Sequence, residues 1–176
     1  MAPPKFILND GTQVPWLAFG TGTALYCQDA SDSVKAAIDA GITHLDGEQL
    51  YGNEETLGEG IKLSGKPRSE LFIITKIWPT LTSGQTVESS LRESLRKLGL
   101  EYVDLFLLHS PRPLDDSPGK LRALWEEIEG VKKLGLAKSI RVSNFSWGTR
   151  TKSCRLLRLF PLLIKSVHVP SWLNRA

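Results

Sequence analysis

Hydrophobic and polar positions alternate along this chain in two distinct rhythms. Short apolar runs, Trp16–Phe19, Thr43–Asp46, Leu71–Lys76, Val103–His109 and Ser139–Phe145, are near-continuous, as expected of strands buried on both faces. Between them, apolar residues recur every three or four positions. Val34, Ala37 and Ile38 mark one helix face, closed at Gly41 and capped by Asp29 or Ser31. Leu57 and Ile61 mark a second, with Asn53 as its cap, Glu54 and Glu55 in its first turn and Gly65 at its end. Val87, Leu91, Leu95 and Leu98 form a third face, ending at Gly99, and Leu121, Leu124, Trp125, Ile128 and Val131 a fourth, ending near Gly135. Ahead of all these, Phe6–Leu8 and Val14–Leu17 flank Asn9-Asp-Gly-Thr-Gln, a hairpin with an Asp-Gly turn that can serve as a lid or plug.

Strand alternating with helix implies a parallel sheet with right-handed crossovers, either doubly wound or closed into a barrel. The runs end in polar residues, Asp46, Lys76, His109 and Asn144, and the carboxyl ends of parallel strands are where side chains converge on a ligand. A dinucleotide fold of the doubly wound type needs G-x-G-x-x-G after its first strand; Gly20-Thr-Gly-Thr-Ala-Leu lacks the third glycine, which favours the barrel. The stretch Gly41-Ile-Thr-His-Leu-Asp-Gly-Glu-Gln-Leu-Tyr-Gly-Asn-Glu-Glu55 is the focus, because it sets Tyr51 on a turn five residues after the strand-end Asp46.

Composition narrows the class. With 176 residues, 41% hydrophobic and 23% charged, the chain suits one ordinary globular domain. No apolar run reaches membrane-spanning length and Met-Ala-Pro-Pro-Lys has no signal-peptide core, so a cytoplasmic protein with no membrane partner is expected. Cys27 and Cys154 match no metal or redox spacing; free thiols and no metal are expected. The formal charge of +3 is uneven: the segment 147–176 holds six Lys and Arg and no acid, leaving the body slightly acidic and arguing against nucleic acid as a partner.

The motifs Gly41-Ile-Thr-His-Leu-Asp46 with Tyr51-Gly-Asn-Glu54, Ile74-Thr-Lys76, Leu98 through His109 and Val142-Ser-Asn-Phe145 resemble the aldo-keto reductases, NAD(P)H-dependent oxidoreductases built on a TIM barrel. The resemblance covers roughly residues 6–146. It implies the aldo-keto reductase (β/α)8 barrel cut down to about its first five strands and four helices, preceded by the hairpin. It also implies NADPH (NADH being possible) as cofactor and an aldehyde or ketone as small-molecule substrate. Asp46, Tyr51, Lys76 and His109 match the catalytic tetrad; Gly20, Thr21, Ser143 and Asn144, with Asp46, match the nicotinamide-side contacts. Trp78 and His109 are expected beside the substrate, and the family default is a monomer.

Such a tetrad makes chemical sense. Hydride transfer to a carbonyl builds negative charge on oxygen, which calls for a proton donor and an electropositive surround. A tyrosine, with an ordinary pKa of about 10, is protonated at neutral pH but needs nearby positive charge to act as an acid. Lys76 would supply that charge, Asp46 would hold Lys76, and His109 would donate or accept a hydrogen bond beside Tyr51.

Three departures accompany the resemblance. Arg141 stands where the family commonly has Gly, and its cation must find solvent or an acid. Ser110 stands where many members carry Trp, which would open the substrate pocket. A complete barrel takes about 250 residues, so this chain is expected to be a barrel portion, 1–146, with a divergent basic tail, 147–176. That tail has the composition of a shifted reading frame or altered splice, or alternatively of a basic amphipathic segment, in which Arg155, Arg158 and Lys165 alternate with Leu156, Leu157, Leu159 and Phe160. A half barrel with open sheet edges would tend to self-associate, and a non-catalytic binding module is the alternative to a reductase.

Overall fold

The computed structural model describes residues 4–8, 10–110, 114 and 117–144; Phe145 and the tail 147–176 lie outside the described residues. The elements, in chain order, are β1 (Lys5–Ile7), β2 (Gln13–Pro15), β3 (Ala18–Gly20), α1 (Ser31–Asp39), β4 (His44–Asp46), a 3-10 turn (Gln49–Tyr51), α2 (Glu54–Ser64), a second 3-10 turn (Arg68–Glu70), β5 (Phe72–Ile77), α3 (Val87–Leu98), β6 (Val103–Leu108), α4 (Pro118–Lys133) and β7 (Ala137–Val142).

Strands β3 to β7 lie side by side in sequence order, every neighbouring pair parallel. A doubly wound sheet would reverse its strand order at a switch point; this order runs one way only, as in a barrel wall. The side-chain period of two then sorts each strand between the two faces. Ile73, Ile77, Phe106, Leu108 and Ile140 face the helices, joining Val34, Ile38, Leu57, Leu91, Leu95, Leu124, Trp125 and Ile128 in the larger core. Phe72, Ile74, Leu105 and Leu107 face the inner side.

That inner side is covered by the hairpin. β1 and β2 pair antiparallel with Gly11 in the turn at φ +83°, and Leu8 and Val14 bury against Phe72, Ile74, Leu105 and Leu107. Full burial of two such side chains is worth about 1.5–3 kcal/mol each. The contact lies toward the amino ends of the strands, where the Pro15 carbonyl meets Nδ1 of His44 at 2.9 Å, so the hairpin is a plug rather than a lid. Arg141 finds its acid here: its guanidinium pairs with Asp10 at 3.0 Å, and the Ser139 hydroxyl donates to the same carboxylate at 2.5 Å. Burial alone would push the Asp10 carboxyl up, but hydrogen bonds from Ser139 and Thr12 and the Arg141 charge hold it well below the usual carboxylate range.

Two details differ from the sequence expectation. Strand β3 begins only at Ala18, leaving Trp16 and Leu17 exposed. Asn53 precedes α2 but makes no side-chain cap bond. Its amide is spent instead on the carbonyls of Thr21 at 2.9 Å and Leu25 at 2.6 Å, which belong to the loop leaving β3 and have no strand partner. Asp29 does serve α1, accepting the Ser31 amide at 2.8 Å. Among the described residues no helix is long and apolar enough to cross a membrane.

Candidate active site

Asp46 ends β4 and Lys76 lies near the end of β5, both on inner-face positions at the carboxyl edge of the sheet. The Lys76 ammonium has three donors and uses them on Asp46 Oδ1 at 2.5 Å, the Gly47 carbonyl at 3.0 Å and the Tyr51 hydroxyl at 3.4 Å. Burial pulls the Lys76 pKa down, but the charge of Asp46 with smaller contributions from Tyr51 and Glu48 more than offsets it, and the net direction is up. Lys76 is therefore a cation at neutral pH.

Tyr51 is delivered by the 3-10 turn, whose Gln49 is tied to α3 through Ser90 and Ser94. The ring lies against the backbone of Gly22: a Cβ built there would fall 2.3 Å from the ring carbon that carries the hydroxyl. The small residue in the loop after β3 is thus a steric requirement for Tyr51's position. Burial raises the phenol pKa; Lys76 pulls it down, while Asp46 and Glu48 push it up again. This corrects the expectation that nearby positive charge leaves Tyr51 a stronger acid: in this arrangement burial and two carboxylates outweigh one ammonium.

His109 follows β6 directly. Its Nδ1 meets Oε1 of Glu48, and its ring stands edge-on to Trp78 with centroids 5.4 Å apart. Ser143 Oγ and Asn144 Nδ2 both donate to the His109 carbonyl, at 2.7 and 2.9 Å, so the end of β7 is fastened to the end of β6. Asn144 takes φ +58°, a left-handed conformation that asparagine tolerates. On the other flank, Gly20 pairs in register with Asp46, and the Thr21 amide donates to the Asp46 carbonyl at 3.2 Å. The Thr21 hydroxyl is buried and has no hydrogen-bond partner.

The structure thus brings Asp46, Tyr51 and Lys76 into direct contact, with Gly20 and Thr21 beside Asp46 and Ser143 and Asn144 beside His109. His109 bonds instead to Glu48, which sequence reasoning passed over. In the folded backbone Glu48 lies two residues after Asp46 in extended conformation, φ −163° and ψ 150°, and such a residue shares its neighbour's face. Glu48 is fully buried, with Oε2 lacking any hydrogen-bond partner.

Comparison with known proteins places the fold in a family. The chain is 40% identical over 142 residues to an NAD/NADP-dependent indole-3-acetaldehyde reductase of Schizosaccharomyces pombe, covering 77% of this chain and 49% of the relative. It is 41% identical over 157 residues to an aldo-keto reductase of Bombyx mori, covering 81% of this chain and 51% of that protein. The chain therefore spans about half the length of the curated relatives it matches. Its fold superposes on the crystal structure of an aldo/keto reductase from Brucella melitensis with a TM-score of 0.78 and 35% identity, covering 92% of this chain and 62% of that one. The Bombyx mori enzyme, solved in complex with NADP, gives 0.75 and 36%, covering 93% and 56%. The profile of the Aldo/keto reductase family matches residues 16–167. Strand order and this match agree, and the chain belongs to the aldo/keto reductase family.

Proposed function

We propose that this chain carries the proton-donating half of an NADPH-dependent carbonyl reductase that converts an aldehyde or ketone to an alcohol. The observation that carries the reading is Lys76, nearly buried, held by Asp46 at 2.5 Å with its ammonium 3.4 Å from the Tyr51 hydroxyl. Burial keeps Tyr51 protonated until charge builds on a carbonyl oxygen placed against its hydroxyl. As the proton leaves, the Lys76 ammonium sits where the phenolate charge appears and stabilises it. Asp46 holds that ammonium in place, and Trp78 and His109 form a wall beside the substrate.

A nicotinamide suits the residues present. The unpartnered Thr21 hydroxyl, with Ser143 and Asn144 across the mouth of the site, offers donors and acceptors to its carboxamide. NADPH, when bound, would supply the hydride; NADH remains the other candidate.

The test is to complete the chain after Phe145 with the carboxyl half of a relative and follow nicotinamide absorbance with an aromatic aldehyde. The 176-residue chain alone should turn over very poorly, because correct placement of donor and acceptor accounts for about 7–11 kcal/mol of such a barrier. The completed protein should be active. Tyr51→Phe in it should lose about 10²–10⁴-fold in kcat, the range for a general acid, with NADPH binding nearly unchanged. Robust turnover that survives Tyr51→Phe overturns the assignment. A second reading, a non-catalytic half barrel, rests on the position of β7, which among the described residues is paired only to β6. It predicts no change in nicotinamide fluorescence when the chain is titrated.

A further inference from the structure

A series of polar side chains runs behind Tyr51 and Lys76, on the helix side of the sheet. It starts at Gln49, two residues before Tyr51 in the same 3-10 turn, whose side-chain amide bonds to the Ser90 and Ser94 hydroxyls of α3, each at 2.9 Å. The Ser94 hydroxyl also lies 3.0 Å from Oε2 of Glu54, the first residue of α2, and Oε1 of Glu54 lies 2.7 Å from the Thr75 hydroxyl. Thr75 is the residue before Lys76 in β5, so the two side chains leave the strand on opposite faces. Ser90, Ser94, Glu54 and Thr75 are all buried, and each is bonded to another member of the series. Apolar side chains of the same shape would hold the two helices and the strand together about as firmly. What a fully bonded polar series adds is position, because a hydrogen bond tolerates a few tenths of an ångström where apolar surfaces can slide.

Resting on the reductase reading above, we propose that Gln49, Ser94, Glu54 and Thr75 form a strut that sets the separation of Tyr51 and Lys76, with Ser94 as the positioning residue at its centre. One end of the strut holds the turn that carries Tyr51, and the other holds the strand residue next to Lys76. Ser94 joins the two ends and acts on the site through Gln49 and Glu54. The separation has little slack: the Lys76 ammonium stands 3.4 Å from the Tyr51 hydroxyl, at the long end of hydrogen-bond distances. A drift of the turn by about half an ångström takes the hydroxyl beyond that reach and weakens the charge stabilisation that a departing proton needs.

The 13C resonance of the ring carbon that bears the Tyr51 hydroxyl reads the surroundings of that hydroxyl in the 176-residue chain and needs neither cofactor nor turnover. The three tyrosines are Tyr26, Tyr51 and Tyr102, and Tyr51→Phe identifies the signal. Ser94→Ala, which removes one oxygen, should move the Tyr51 resonance and leave that of Tyr102 in place. Thr75→Val keeps the side-chain shape and removes the hydroxyl at the far end of the strut; it should move the Tyr51 resonance too, and it covers the case in which Ser94→Ala does not fold. In the protein completed after Phe145, Ser94→Ala should lower kcat by up to about 10²-fold, the effect of an ångström's misplacement, with KM changed far less. In a Tyr51→Phe background the same substitution should cost almost nothing further, because both act through one hydroxyl. A serine that only stabilised the fold would lower stability in either background and leave kcat of the folded enzyme alone. A Tyr51 resonance unmoved in both variants, or a kcat loss from Ser94→Ala that persists undiminished in Tyr51→Phe, overturns the proposal. A moved resonance in the chain supports the strut even if the completed protein fails to turn over, a failure that counts against the reductase reading instead.

Discussion

Asn in place of Asp46 tests the electrostatics of the site most sharply. Lys76 retains only 8% of its side-chain surface and Asp46 retains 34%. Removing one partner of a buried ion pair costs about 3–5 kcal/mol, because the other charge is stranded without water. Asp46→Asn strands the deeply buried lysine, which keeps only the Gly47 carbonyl and the Tyr51 hydroxyl as partners, and asparagine still offers an acceptor oxygen. A loss of about 3 kcal/mol, the low end of that span, is expected. Lys76→Met strands the more exposed carboxylate, which water can reach, and should cost about 1–2 kcal/mol, mostly for the Gly47 carbonyl left bare. The double variant should be more stable than Asp46→Asn alone. Urea unfolding at pH 7 with a constant m-value measures all three. The same pair sets an alkaline limit: Lys76 binds its proton more tightly folded than unfolded, so this stabilisation is complete below about pH 10.5 and is lost as pH rises through the higher folded value. Equal losses in the two single variants, or a double variant matching their sum, would refute the coupling and the asymmetry of burial behind it.

Gly22→Ala should cost about 1–3 kcal/mol by overpacking the Tyr51 ring, and should cost less in a Tyr51→Ala background, since the three atoms nearest the added Cβ all belong to that ring. His44 is buried and burial lowers its pKa, so the folded chain resists its protonation. Its contribution is present above about pH 6.5 and lost as pH falls toward the folded value, and stability should drop by up to about 1.4 kcal/mol per pH unit there, a slope that His44→Gln removes in urea unfolding at pH 7, 6 and 5. Glu54 has its pKa raised by burial despite hydroxyls from Thr75 and Ser94. Its sign is opposite, with stability favoured near pH 4.5 and reduced as pH rises, so Glu54→Gln should flatten the change between pH 4.5 and pH 7.

Strand positions were legible because their inner and outer residues are both apolar: Leu71–Lys76 and Val103–His109 can only be buried on two faces, and they became β5 and β6 to within a residue. The contact of Asp46, Tyr51 and Lys76 was legible for the same reason, since strand ends of a parallel sheet meet at one edge. Glu48 was not, because its partner His109 is 61 residues away and no local pattern marks a carboxylate that bonds across the sheet. Asn53 misled because its preference for helix caps is a local rule, overridden here by two carbonyls of a loop more than 25 residues earlier. The direction of the Tyr51 pKa depends on how much water the ring loses, which no sequence position states.

The plug also has a consequence in time. Asp10 is held by Ser139, 129 residues later in the chain, and no partner for the Asp10–Arg141 pair exists until β7 has been made. At about 5–20 residues per second, a ribosome needs roughly 6–26 s to synthesise that interval. During all of it the hairpin, which emerges ahead of the sheet, has its latch unfilled, while β4, β5 and β6 can each pair with the strand before them as they appear. The hairpin is therefore made before the sheet and docks after it, and the inner face of Phe72, Ile74, Leu105 and Leu107 stays open to chaperones or to other nascent chains until translation has passed residue 141.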